Sequence, residues 1–296
     1  MDGFLVIDKP LGWTSQQVVS RLRRALGVRK MGHTGTLDPL ATGVLPLALG
    51  EATKIIPFLD ESLKRYWVTA RFGAATDTYD AEGRVTEEAA VPDFDISTLE
   101  KTLSGFLGEQ EQLPPAFSAV KVGGKPLYRY AREGREVERK PRRIVLHQLQ
   151  IQAWEKPDLN FEVLCSKGTY IRSLVHDLGM QLGCFAHVRE LRRLQSGPFG
   201  LQQALAWDSV LADPKSARAA LISIENLLSA WPKLVLESEE EVKRVRQGVA
   251  LRRISQVIEG HHLFLKKIAL TRGEKIVALV EAGPRGDFFY LRVLGR

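Results

Sequence analysis

Gly32-His-Thr-Gly-Thr-Leu-Asp38-Pro-Leu-Ala-Thr-Gly43-Val-Leu-Pro-Leu-Ala-Leu-Gly50-Glu-Ala-Thr-Lys54 is the stretch on which the reading of this chain turns. Glycine and proline break its first half so often that a loop is expected there. Its second half, from Val44 to Leu49, is apolar enough to be buried. Asp38 precedes Pro39, which pushes its backbone toward an extended conformation and stiffens the loop. Gly32, Gly35 and Gly43 permit tight turns and close approach of a ligand to the backbone. Taken alone, Asp38 also reads as an Asx turn and His33 as an ordinary loop histidine. A nucleotide P-loop is excluded. The order GxxxxGK[ST] is missing, and Glu51 stands where a Gly-Lys pair is needed.

Outward from this loop, strands and helices interleave without a regular βαβ rhythm. Phe4 to Ile7 reads as a short buried strand. Thr14 or Ser15 caps a helix carrying Val18, Val19, Leu22 and Leu26 on one face, and Gly27 stops it. Tyr66, Val68, Ala70 and Phe72 alternate with Trp67, Thr69 and Arg71, which predicts a half-buried strand. Asp77 to Gly83 reads as an acidic turn. Ser97 is expected to cap a helix through Leu99, Leu103 and Phe106. Ile144 to Trp154 and Phe161 to Cys165 read as a hairpin, and Thr169 as the start of a helix that ends at Gly183. Near Trp231-Pro232 the character changes to an acidic helical run, Glu237 to Glu241. Three β-rich pieces follow: Phe264 to Leu270, Ile276 to Val280 and Phe288 to Val293. The expectation is an α+β protein with a large mixed sheet and a small barrel-like tail.

The chain has 296 residues, 44% apolar and 26% charged, which suits a soluble globular protein. Its formal net charge is +7, a balance that favours a polyanionic partner. Two cysteines, Cys165 and Cys184, lie far outside any CxxC spacing, so neither a zinc site nor a disulfide framework is expected. That usage fits a reducing, cytoplasmic setting. No signal peptide is expected at Met1-Asp2-Gly3-Phe4, and no apolar run approaches the roughly 20 residues of a membrane helix.

Individual residues admit two readings each. Tyr66 is a core aromatic or a ring on a pocket wall. Arg172 falls in the first turn of a helix, where the dipole disfavours a cation, so it is solvated or needs a carboxylate or phosphate partner. Cys165 shares a face with Phe161 and Val163 and reads as a buried thiol rather than a nucleophile. Residues 121–143 mix Tyr128 and Tyr130 with Arg132, Arg135, Arg139, Arg142 and Arg143, a solvated face or an RNA-contacting one.

The loop at 32–54 closely resembles the signature of the TruB family of pseudouridine synthases. Further blocks are similar to the same family: Asp8-Lys9-Pro10 with Gly12-Trp13-Thr14-Ser15; Lys64-Arg65-Tyr66; Asp77 to Gly83; and Pro114 to Lys121. Tyr130 to Gly134, Cys165 to Leu174, and Ala186-His187-Val188-Arg189 through to Gly197-Pro198-Phe199 continue the match over roughly residues 3–200. The resemblance implies a pseudouridine synthase fold, a mixed and largely antiparallel sheet flanked by helices. It also implies a catalytic domain at 1–230 with a basic RNA-contacting insertion at about 121–143, and a PUA-like domain at 231–296.

It implies roles as well. Asp38 is the essential carboxylate, Tyr66 the ring that stacks on the target base and is proposed to move a proton, and Arg172 the partner of Asp38. Tyr170 lies beside Arg172, His33 packs into the T-loop as the base leaves, Leu191 lines the pocket, and Lys9 with Pro10 supports it. Gly32, Thr34, Gly35, Arg132 and Arg143 are expected to contact RNA, and the basic residues at 189–193 to hold its backbone. The expected substrate is the T-arm stem-loop of tRNA, modified at position 55 by a single chain with no cofactor, metal or guide RNA. Three alternatives accompany this expectation: a non-catalytic RNA-binding or RNA-folding protein, a guide-RNA-dependent pseudouridylase, and a methyltransferase using Cys165.

Overall fold

A computed structural model describes all residues except 60–61, 250, 261–262, 264–265, 285–286 and 296. The apolar run near the start forms β1 (Gly3–Lys9), buried on both faces. Helix α1 (Ser15–Ala25) follows, opened by a reciprocal capping box. Thr14 Oγ1 accepts from the Gln17 amide, and Gln17 Oε1 accepts from the Thr14 amide. Val18, Val19 and Leu22 of α1 are buried, and Gly27, at φ +63°, ends the helix. Strands β2 (Met31–His33) and β3 (Ala41–Leu49) pair antiparallel and bracket the Asp38 loop.

Strand β4 (Leu63–Phe72) buries Tyr66, Val68, Ala70 and Phe72, as the alternation predicts. β5 (Ala74–Thr76) and β6 (Val85–Glu88) form a ribbon that presents the acidic turn between them. Helix α2 (Ile96–Ser104) is capped by Asp95, not by Ser97: Asp95 Oδ1 accepts from the Thr98 amide at 2.7 Å. After β7 (Gly108–Gln112), the basic segment folds into a two-residue ribbon, β8 (Lys121–Val122) and β9 (Lys125–Pro126), and a short helix, α3 (Leu127–Arg132). The predicted hairpin is β10 (Arg142–Glu155) and β11 (Asp158–Ser166). Helix α4 (Ile171–Gln181) begins two residues later than expected. Thr169 does not cap it; its hydroxyl turns back to donate to the Ser166 carbonyl at 2.9 Å. Then come β12 (Ala186–Ser196), β13 (Phe199–Gly200), β14 (Leu205–Ala206) and the helices α5 (Trp207–Ala212), α6 (Pro214–Ala219) and α7 (Ile224–Leu227).

The large sheet runs β14-β1-β3-β12-β4-β11-β10-β7, with β2 on β3 and β13 on β12. The β1/β14 and β3/β12 pairs are parallel and the others antiparallel, so the sheet is mixed. Helices α1, α2 and α4 cover one face, packing Val18, Leu22, Leu99, Leu174 and Leu178 against Leu45, Val68 and Phe161. On the other face Phe4, Val6, Val44 and Ala48 meet Ala269, Leu279 and Leu294 of the tail. The tail is a small sheet domain. β15 (Lys233–Val235), β16 (Lys267–Arg272), β17 (Lys275–Ala282) and β18 (Phe288–Val293) pair in that order, beside α8 (Glu239–Arg246) and α9 (Arg252–Gly260). Ser238 caps α8, whose acidic first turn suits the helix dipole. Of the predicted tail strands, the first begins at Lys267; its expected start, Phe264, lies outside the described residues.

Candidate active site

The Asp38 loop is held from several sides. Ser15, first residue of α1, accepts from the Leu37 amide at 2.8 Å and donates to the Leu37 carbonyl at 3.0 Å. The Pro39 carbonyl accepts from the Gly12 amide at 2.9 Å and from Lys9 Nζ at 3.3 Å. Lys9 Nζ also donates to the Pro10 and Trp13 carbonyls. From β12, Arg193 donates to the carbonyls of Val44 (2.7 Å), Gly35 (3.1 Å) and Thr36 (3.5 Å). At Gly43, φ +96°, a Cβ would stand 2.2 Å from the Arg193 carbonyl, so only glycine lets β3 and β12 meet here. Lys9 and Arg193 are fully buried. Burial pulls the Lys9 ammonium down to about 8, while the Asp38 carboxylate acts in the opposite sense.

Arg172, in the first turn of α4 and 5% exposed, meets the carboxylates its position calls for. Its Nε stands 3.0 Å from Asp38 Oδ2, and its Nη1 stands 3.3 Å from Asp80 Oδ2. Nη1 also donates to the Thr78 carbonyl and Nη2 to the Phe117 carbonyl, both at 2.8 Å. Every branch of the guanidinium is engaged, which fixes its plane. Asp80 is buried and accepts from Thr78 Oγ1 at 2.6 Å and from the Glu82 amide at 3.1 Å. Burial and the Asp80 charge push the Asp38 carboxyl above its ordinary value, against the pull of Arg172 and Lys9.

Asp38 faces a cavity of about 220 Å³ whose walls include Tyr66, Leu191, Ala41, Tyr170, Lys64 and Arg172. Burial pushes the Tyr66 phenol up to about 12, although the nearby Arg193 charge pulls the other way. Tyr170 precedes α4, tied to β7 by a pair of bonds. Its amide donates to Gln112 Oε1 at 2.7 Å, and its carbonyl accepts from Gln112 Nε2 at 3.0 Å. An apolar wall with one carboxylate and fixed cations suits a flat, polar ring that must be held and attacked at one atom.

The expected site residues separate into two groups. Asp38, Tyr66, Arg172, Tyr170 and Leu191 surround the cavity, and Lys9 braces the loop beneath it. His33, Gly32, Thr34 and Gly35 do not line the cavity: Gly32 and His33 belong to β2, and Thr34 and Gly35 follow it toward Asp38. The Nδ1 atom of His33 and the hydroxyl of Thr34 are buried without a partner among the described residues. At Gly35 a Cβ would come within 2.9 Å of Lys64 Nζ. Arg132 and Arg143 lie outside the cavity, exposed on α3 and β10; Arg132 stands over the Tyr128 ring, 5.6 Å from its centroid. The basic residues at 189–193 are each engaged within the protein. Arg189 pairs with Asp158, Arg192 pairs with Asp8 at 2.6 Å, and Arg193 is inside the protein. Cys165 is buried, with its thiol pushed up to about 11, which removes it as a nucleophile. Sequence reasoning missed Asp80, Ser15, Lys64 and Arg193 as parts of the site. For Asp80 a signal existed: a first-turn arginine needing a carboxylate, and an acidic turn rich enough to supply one.

Residues 23–171 match the family described as TruB family pseudouridylate synthase (N terminal domain), and residues 172–229 match the tRNA pseudouridylate synthase B C-terminal domain. The chain belongs to the TruB family. A relative from Geotalea uraniireducens called tRNA pseudouridine synthase B is 44% identical, covering 99% of this chain and 96% of the relative. One of the same name from Geobacter sulfurreducens is 48% identical over 84% of this chain and 82% of its own. Among solved structures, a Cbf5-Nop10-Gar1 complex superimposes with TM-score 0.68 at 28% identity, over 95% of this TruB-family chain and 78% of the other. The Nop10-Cbf5 complex of an archaeal box H/ACA sRNP gives TM-score 0.67 at 25% identity, over 98% and 84%. The large mixed sheet is therefore that of a TruB-type pseudouridine synthase.

Proposed function

We propose that this protein isomerises the uridine at position 55 of the tRNA T-loop to pseudouridine, with Asp38 as the reacting carboxylate and with no cofactor or guide RNA. It acts as a single cytoplasmic chain on the T-arm stem-loop. The observation that carries the reading is the Asp38–Arg172–Asp80 cluster at the mouth of a base-sized cavity walled by Tyr66 and Leu191. The relatives' names supply the RNA class.

The reaction breaks the N1–C1′ bond, turns the uracil and joins C5 to C1′; C5 loses a proton and N1 gains one. Nothing is oxidised and no outside group is added, so one carboxylate with fixed geometry is enough. The base must first leave its stack, at a cost of a few kcal/mol. Stacking on Tyr66 and contact with Leu191 recover part of that cost, and His33 fills the space left in the RNA. Arg172 holds the Asp38 oxygen facing the cavity. A phenol pushed up to about 12 is a poor base near neutral pH. Tyr66 therefore serves best as a stacking surface, and a held water or the Asp38 carboxylate takes the C5 proton. Residues 1–230 carry this chemistry in our reading, and 231–296 are a PUA-like RNA-binding domain.

The test is site-resolved pseudouridine mapping of an unmodified tRNA transcript incubated with the wild-type protein or with Asp38→Asn. Product at the T-loop uridine with wild type alone supports the reading. Absence of product from both, with tRNA bound, replaces it with an RNA-binding role.

A further inference from the structure

We infer that the outer face of α1, with the turn that follows it, is a second contact surface for the phosphate backbone of the substrate tRNA, distinct from the basic insertion at 121–143. The inference rests on the tRNA-modifying reading above. Between Lys9 and Leu37 the chain has no Asp or Glu, yet it carries Arg21, Arg23, Arg24, Arg29 and Lys30. All five are exposed. The insertion differs: it holds Glu133, Glu136 and Glu138 among its cations, and Lys125 is paired with Glu133 at 2.6 Å. The α1 segment is the more one-signed of the two.

An ordinary solvated helix explains only part of this. Arg23 and Arg24 lie in the last turn of α1, where the helix dipole favours cations. Arg21, Arg29 and Lys30 have no such reason, and like charges at i,i+3, as in Arg21 and Arg24, cost a few tenths of a kcal/mol on a helix. Four of the five are arginines, the side chain whose planar fork fits a phosphate. Beside α1 runs a groove of about 320 Å³ lined by Trp13, Gln16, Gln17, Ser20, Arg21 and Arg24, a mixture of cations, amides and an indole. Past the helix, Arg29 and Lys30 line an open hollow with Arg218. The two acids of that hollow are already engaged: Glu51 with Lys54 and the Gly295 amide, and Asp2 with the Glu51 amide.

Geometry ties this face to the reaction site. Ser15, at the start of α1, is bonded to Leu37 beside Asp38. The eleven residues of α1 then run about 16 Å away from that loop. Helix and cavity lie on the same side of the sheet, with the tail domain behind it. An RNA whose target base sits at Asp38 has its backbone within reach of these cations.

The experiment measures binding of full-length tRNA transcript to the whole chain carrying Arg21→Gln, Arg24→Gln and Arg29→Gln together, across a series of salt concentrations. A companion protein carries Lys at the same three positions. We expect the Gln protein to bind about tenfold or more weakly near 0.1 M salt, with a log–log salt slope shallower by about 2 to 3. The Lys protein should keep most of both. An unchanged slope and affinity in the Gln protein would return the face to solvent. Equal losses in the Gln and Lys proteins would show that charge is not the agent. Both readouts concern binding, so they stand apart from whether position 55 is modified.

Discussion

At the scale of single residues, Asp38 is the group whose surroundings oppose its charge. Burial and Asp80 raise its proton affinity above the ordinary carboxylate value of 3.8, and Arg172 only partly offsets them. A carboxyl with a raised folded-state value holds its proton to higher pH. If the ionised form reacts, single-turnover pseudouridine formation should fall on acidification at a pH clearly above 3.8. A limb at or below that value would show that the surroundings do not raise the Asp38 carboxyl. The same sign governs stability. Ionised Asp38 costs the folded state free energy at neutral pH, and the cost fades as pH falls through the folded value toward the unfolded one. Asp38→Asn should therefore unfold at the same or a higher temperature at pH 7, with turnover lost. A marked drop in unfolding temperature would make Asp38 a structural residue.

At the scale of elements, the site is a meeting of α1, β3, β12, α4 and the acidic turn. Much of this was legible in the sequence. The alternation in β4 and the hairpin at β10–β11 are periodic because one face of each is buried, and Asp38, Tyr66 and Arg172 sit in blocks of recognisable spacing. Other parts were not legible. Arg193 looks like one member of a surface run, and only the register that sets it opposite Gly43 sends it inward. Side chains satisfying carbonyls thirty or more residues away leave no periodic mark. Arg193→Met should cost about 2 kcal/mol or more in denaturant unfolding, because it strands the carbonyls of Gly35, Thr36 and Val44. An unchanged midpoint would mean water replaces the guanidinium. The acidic turn has its own brace. Tyr79, at φ +63°, stacks on His176 of α4 with centroids 3.9 Å apart, between the two residues that engage Arg172. His176→Ala should lower turnover several-fold with tRNA affinity kept, and His176→Phe should restore it. Equal activity of all three proteins would mean the stack does not position the turn.

At the scale of the whole molecule, helices cover one side of the catalytic sheet, and the tail domain covers β1 and β3 on the other. Leu279 of β17 is fully buried where the tail meets β1 and β3. Leu279→Ala should destabilise the protein by about 2 to 5 kcal/mol in a single transition shared by both parts. Two separate transitions, with only the tail weakened, would show that the parts unfold independently. The two basic surfaces differ in composition: the insertion at 121–143 mixes glutamates with its cations, and the α1 segment has no acid.

The place of β12 bears on how the enzyme comes into being. It lies between β3 and β4, strands that precede it by more than a hundred residues, and it brings Leu191 and Arg193 with it. While the chain is being synthesised, the two halves of the sheet have no strand to join them until residue 196 has left the ribosome. Pairings this distant in sequence close slowly and leave sheet edges open meanwhile. A nascent or prematurely ended chain that stops before β12 has the Asp38 loop but neither the strand beside it nor the arginine beneath it. Modification activity is therefore acquired in one step, late in synthesis.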